Sequence, residues 1–316
     1  MPPPRFSRPF SILILTCIGL SFSLGHIAAR KGFDMDLGVI SAVVFRSGLV
    51  VLALGTFLFW RRQSIAVPKH LRPWQLLLGL LLTVQSIGLY IAVASIPVGI
   101  ALLFMHTFAI LLALITWALG GPAPTRAGFW LMLLCLFGLF LSLDVPHLLE
   151  QDHAARQVWI FGVGAALTGA LAFSFGLWIT EHKLSALSGA VRSFYATVVI
   201  MLGASSIGQS GLFEHGIAAP AEPIGWWYVF LLSALYGLGF VTLFVLTPRL
   251  NMAQNAPALH IEPIASLVMG WLILDQRLSL IQMAGGICVV TGIMLLALQR
   301  QQAQGSTALK SPLHDR

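Results

Sequence analysis

Charge is what this chain of 316 residues has least of. Lys and Arg number 18, Asp and Glu 11, and charged residues make up 9% of the sequence against 58% hydrophobic. A soluble domain carries about 25% charged residues, so this chain lacks the polar surface to cover itself in water. The same shortage excludes disorder, which needs high charge and low hydrophobicity. Cysteine is scarce too. Cys17, Cys135 and Cys288 lie in apolar runs and form no C-x-x-C pair, which excludes a disulfide framework and a cysteine metal site. No nucleotide-binding loop and no H-E-x-x-H motif is present. No catalytic, metal or cofactor residue is therefore assigned, no cofactor is expected, and transport driven by ATP hydrolysis in this chain is not expected. What is abundant is apolar sequence, with a mean hydropathy of +0.89. Such a chain belongs in a bilayer.

The apolar sequence divides into ten runs bounded by charge, Pro or Gly, near 9–29, 38–60, 74–95, 97–119, 126–144, 158–180, 187–208, 226–247, 254–274 and 280–299. Each is about the 20 residues a spanning helix needs. The first run follows Arg5 and Arg8, as a signal peptide would. It is longer than a usual signal core and no A-x-A site follows it, so it reads as a retained helix. With the N-terminus inside, twelve of the 18 basic residues fall in inside segments and four in outside loops. Both termini are thus expected in the cytoplasm. The net charge of +7 describes topology and implies no nucleic-acid partner.

The two halves look alike. Phe45-Arg46-Ser47 matches Val191-Arg192-Ser193, and Gly88 to Pro97 matches Gly239 to Pro248. The last two helices of each half align without gaps, setting His106 on His260, Trp117 on Trp271 and Gly138 on Gly292. These matches suggest a duplicated unit of about five spans, and an odd number of spans makes the copies enter the membrane from opposite sides. The expected fold is an all-α polytopic membrane protein of ten transmembrane helices in two inverted five-helix repeats. Residues 1–150 form the first repeat, 151–299 the second, and 300–316 a polar cytoplasmic tail. Inverted repeats are a recurring design of secondary transporters, because near-equivalent halves exchange roles around one central site.

The stretch Glu262-Pro263-Ile264-Ala265-Ser266, then Gly270-Trp271-Leu272-Ile273-Leu274, Arg277-Leu278-Ser279 and Gly285 to Gly292, resembles the closing half of an EamA-type transporter of the drug/metabolite transporter superfamily. Pro97 through Gly138 resembles the same pattern more weakly. The resemblance implies a permease for metabolites or amino acids, commonly an exporter, in a bacterial inner membrane. The chain departs from the pattern at Gln276 and Gly121, where a glutamate is often found, and at Phe108 and Ala109, which replace the Glu-Pro pair of Glu262 and Pro263.

Charge inside the hydrocarbon is costly and faces an interior cavity, which singles out Arg46, Arg192 and Glu262. Their sum favours a carboxylate-bearing or zwitterionic small-molecule solute, with the arginines on its anionic group and Glu262 as proton site or ammonium partner. Structural ion pairing or snorkelling arginines is the competing account. On a regular helix Glu262 shares a face with Asn255, Ser266 and Met269, while His260 points elsewhere. Ser266 therefore joins the candidate binding residues. His106 is a second proton-coupling candidate and equally a packed, hydrogen-bonded histidine. Tyr90 and Tyr195 are candidate cavity-wall residues. The small residues of Gly162 to Gly176 and Gly285 to Gly292 suit close helix contact, within the chain or in a homodimer. The rival function is a polytopic membrane enzyme acting on lipid-like substrates, for which the outside acids Asp144, Glu150 and Asp152 read better as a solvated loop.

Overall fold

A computed structural model describes residues 6–121, 123–144, 152–211, 216–250, 258–259 and 261–310. Among these residues every regular element is helical. In chain order they are α1 (Arg8–Phe33), α2 (Val39–Trp60), α3 (Arg72–Ser95), α4 (Val98–Met105), α5 (Phe108–Ala118), α6 (Arg126–Leu143), α7 (His153–His182), α8 (Gly189–Gln209), α9 (Pro223–Leu250), α10 (Ile261–Leu274) and α11 (Leu280–Lys310). Eight segments are long and apolar enough to cross a membrane, α4 and α5 counting together as one. The segments Ile261–Leu274 and Leu280–Leu296 are shorter but apolar. The chain is a polytopic helical membrane protein with about ten spans. Its outer surface is apolar, as lipid contact requires: Phe59, Trp60, Leu52, Trp130 and Leu280 are all more than half exposed.

Three features differ from the sequence expectation. The fourth run is kinked at His106 and Thr107, with no Pro or Gly at the kink. At the kink, His106 Nδ1–H donates to the Leu102 carbonyl and Thr107 Oγ1 to that of Phe104. The backbone is tighter there, with Thr107, Ala109 and Ile110 bonding three residues back rather than four. In the ninth run α10 begins at Ile261, so Glu262 stands in its first turn and Pro263 fits there without breaking a ladder. His260 and Asn255, which entered the face argument above, lie outside the described residues. At the other end of the chain, α11 continues past the apolar run into the segment expected as a tail.

Helix pairing follows a pattern. α3 packs on α7 and α9 on α1; α3 packs on α8 and α9 on α2; α7 packs on α4 and α5, and α1 on α10. Between these, α2 meets α8, α4 meets α10 and α6 meets α11. Burial alone cannot drive these contacts, since lipid tails are as apolar as leucine. Close approach does. A Cβ on Gly285 would stand 2.5 Å from the Gly138 carbonyl oxygen, and one on Gly138 2.7 Å from that of Gly285. Gly88 meets α7 the same way, with the Ala165 oxygen 2.6 Å from where its Cβ would be.

The connections segregate to two sides. On one, Gln63 donates to Ser188, Tyr195 to the Ile65 carbonyl, and Phe6 N–H to Arg249. On the other, Gly38 and Ile40 bond Ala218 and Gly216. On this second side the short α3–α4 turn is clasped from two directions. Arg30 Nη1 donates to the Val93 and Ala94 carbonyls that end α3, and Gln276 Oε1 accepts the Val98 N–H that starts α4.

Candidate functional site

Arg46 lies two turns into α2, with 2% of its surface exposed. A guanidinium in this setting needs partners, and α3 and α9 supply them as aromatic faces. Its Cζ sits 4.6 Å from the ring centre of Tyr90 and 4.1 Å from that of Tyr236. A desolvated cation over an aromatic face gains about 2 kcal/mol. Arg46 Nε–H nevertheless has no hydrogen-bond partner among the described residues. The cation is thus held by rings while a buried donor remains open to a ligand's acceptor.

Tyr90 extends the site. Its ring meets His26 of α1 edge-on, with centroids 6.2 Å apart, and Phe33 at 5.6 Å. On the far side of that imidazole, His26 Nε2 lies 3.1 Å from Glu262 Oε1, with side chains 5% and 17% exposed. One turn further along α10, Ser266 Oγ donates to Ser23 Oγ of α1 at 2.8 Å, both residues fully buried. Two side-chain bonds, spaced as helix neighbours are, therefore tie α1 to α10. Close backbone approach allows this, because a Cβ on Gly19 would come within 2.5 Å of the Ile261 side chain.

Four of the seven candidate residues, Arg46, Tyr90, Glu262 and Ser266, gather in this cluster. His106 is elsewhere, at the α4–α5 kink, 6% exposed, bonded to Leu102 and packed on Phe108 with centroids 5.6 Å apart. Arg192 and Tyr195 are placed near a helix end. Arg192 Nη1 donates to the Leu184 carbonyl at 3.2 Å and Tyr195 Oη to Ile65 at 3.0 Å. Tyr195 also lines a cleft of about 680 Å³ with Gln63, Arg72 and Gln75. Three residues of the central cluster escaped the sequence reading: His26, Ser23 and Tyr236. For Ser23 and His26 the available signal was their spacing, three apart on one helix face; Tyr236 carried none.

Comparison with known proteins bears on the fold and the kind of protein this is. Residues 157–298 match the model of the EamA-like transporter family. An uncharacterised transporter of Synechocystis, sll1319, is 26% identical over 238 residues, covering 73% of this chain and 69% of that protein. The pseudopaline exporter CntI of Pseudomonas aeruginosa is 20% identical over 286 residues, covering 90% and 95%. A crystal structure covering 94% of this chain, at 17% identity and a TM-score of 0.60, shares the fold. These relatives point to a membrane transporter rather than an enzyme. Over residues 157–298 this polytopic helical chain is similar to the EamA-like transporter family.

Proposed function

We propose that the protein is a secondary transporter, a permease that exports small metabolites such as amino acids or related solutes by alternating access at a central cavity. The observation that carries this reading is the buried string Arg46, Tyr90, His26 and Glu262, contributed by four helices from both ends of the sequence. A guanidinium with an open donor suits a carboxylate, and the carboxylate of Glu262 suits an ammonium. Ser266 and Tyr236 complete the wall. His106, at the kink, is a hinge and coupling candidate; Tyr195 lines an entry cleft, and Arg192 stands three residues before it on α8.

Alternating access is supported by the helix pairing. Exchanging the first five spans with the last five turns α3–α7 into α9–α1 and α3–α8 into α9–α2, and leaves α2–α8, α4–α10 and α6–α11 unchanged. Phe22-Ser23-Leu24-Gly25 of α1 and Phe173-Ser174-Phe175-Gly176 of α7 repeat the same pattern. Inverted repeats at 1–150 and 151–299 account for both. The export direction draws on the likeness to a protein named as an exporter. We place the protein in a bacterial inner membrane with both termini cytoplasmic, from the distribution of basic residues.

The test is counterflow of radiolabelled amino acids in proteoliposomes. Saturable flux above empty liposomes is expected, with Arg46→Gln lowering it at least tenfold. Wild-type flux equal to that of empty liposomes across the amino acids and their derivatives would sink the reading.

A further inference from the structure

We infer that His26 and Glu262 share one exchangeable proton, and that this proton competes with the ammonium group of the solute, so that solute leaves in exchange for a proton. The inference rests on the transport reading above and names its coupling device.

The geometry begins with the imidazole. Nε2 stands 3.1 Å from Glu262 Oε1, and the other ring nitrogen, Nδ1, is buried with no hydrogen-bond partner among the described residues. A neutral ring that donates through Nε2 leaves a bare acceptor at Nδ1; a charged ring leaves a bare donor there. Neither state satisfies every buried atom, so the hydrogen bonds of the described residues fix neither protonation state. Among the described residues, these groups face His26. Glu262 comes from α10 and Tyr90 from α3, with Arg46 of α2 and Tyr236 of α9 beyond the Tyr90 ring. On α1 itself, Arg30 is turned away onto α3 carbonyls and Asp34. His106, at the end of α4, is bonded to Leu102.

Charge counting then sets the sign. With its proton, the His26–Glu262 pair is neutral overall, and Arg46 leaves the site at +1. Without it, the pair is −1 and the site is balanced. A zwitterionic solute places its carboxylate at Arg46 and its ammonium at Glu262. The ammonium is a second positive charge, and it fits only where the pair has given up its own. Proton and solute therefore exclude one another at a low-dielectric site where an extra like charge is expensive. An exchanger needs this property.

The related half of the molecule sharpens the assignment. In the same registers that align the repeats, Leu177 stands for His26 and Phe108 for Glu262. There Phe108 packs edge-on against Phe173 with centroids 4.9 Å apart. Among the described residues, the titratable pair thus has an apolar counterpart in the related half.

The full chain in lipid decides this in two arms. In the first, infrared difference spectra of the protein without solute follow the protonated-carboxyl band with pH. A band that vanishes in Glu262→Gln and shifts its midpoint in His26→Gln is expected. Glu262→Asp, which keeps the acid but draws it back from the ring, should shift the midpoint as well. An unchanged midpoint in both His26→Gln and Glu262→Asp overturns the shared proton. In the second arm, free amino acids are compared with their N-acetyl forms, which lack the ammonium. Acid should weaken wild-type affinity for the free forms by up to about tenfold per pH unit across the titration, and leave the N-acetyl forms unaffected or favoured. Equal acid inhibition of both forms overturns the competition. If the first arm behaves as expected and no amino acid crosses, the transport reading fails and the proton pair stands.

Discussion

Tyr236 does for Arg46 what a carboxylate does in a soluble core, and by a different force. A ring face attracts a cation through its quadrupole without adding a formal negative charge. The hydroxyl has no part in that attraction. Tyr236→Phe is therefore expected to bind solute within about twofold of wild type. Tyr236→Leu should lose about 1–2 kcal/mol, roughly tenfold in the apparent affinity measured by counterflow. Equal loss in both variants would show that the hydroxyl, and not the face, matters. Arg46 and Glu262 were legible in the sequence because a charge in an apolar run has few reasons to be there. Tyr236 and His26 were not, since an aromatic or a histidine among leucines looks the same whether it packs or binds. Only the rings' meeting at Arg46 and Tyr90 separates the two uses.

At the scale of the helix, glycine has opposite effects depending on what faces it. Gly285 of α11 is pressed against the Gly138 carbonyl and the Ser142 hydroxyl, both 2.5 Å from where a Cβ would stand. Gly164 of α7 has nothing within 4 Å. Gly285→Ala should cost about 1–3 kcal/mol by overpacking, lowering the unfolding midpoint in detergent. Gly164→Ala should gain up to about 1 kcal/mol from helix propensity and raise it. A fall of similar size in both would mean that backbone flexibility, rather than close approach, is what these glycines provide. Ten apolar runs were visible in the sequence, and so were most of their ends. The kink at His106–Thr107 was not. It coincides with the His106 and Thr107 side chains bonding carbonyls of their own helix, and the sequence carries no Pro or Gly to mark it. The start of α10 was hidden for a related reason, since Pro263 is compatible with a break or a first turn.

For the whole molecule, the loop pairings make topology testable. Ser64 and Ser185 are exposed on the side where the α2–α3 and α7–α8 connections meet, and Glu222 is exposed beside the segment that bonds Gly38. In a chain with its three native cysteines replaced by alanine, Ser64→Cys and Ser185→Cys should resist an impermeant maleimide until cells are permeabilised. Glu222→Cys should react in intact cells. The reverse result would invert the orientation drawn from basic residues. The internal likeness of the halves was legible because small and polar residues recur in order. The concentration of charge in one of two related half-sites was not, because it depends on which residues meet across helices.

The clasp on the α3–α4 turn has a mechanical consequence. α3 ends in Ser95 and α4 begins at Val98, so the connection is too short to stretch. Arg30 holds one side of it and Gln276 the other. A joint pinned at both ends has no slack and transmits torque. If α3 rotates, the pinned turn passes that rotation to α4, and the first bend that can absorb it is at His106. In this linkage α3 is the crank, the turn a rigid coupling, and the elbow of the fourth span the bearing on which it works.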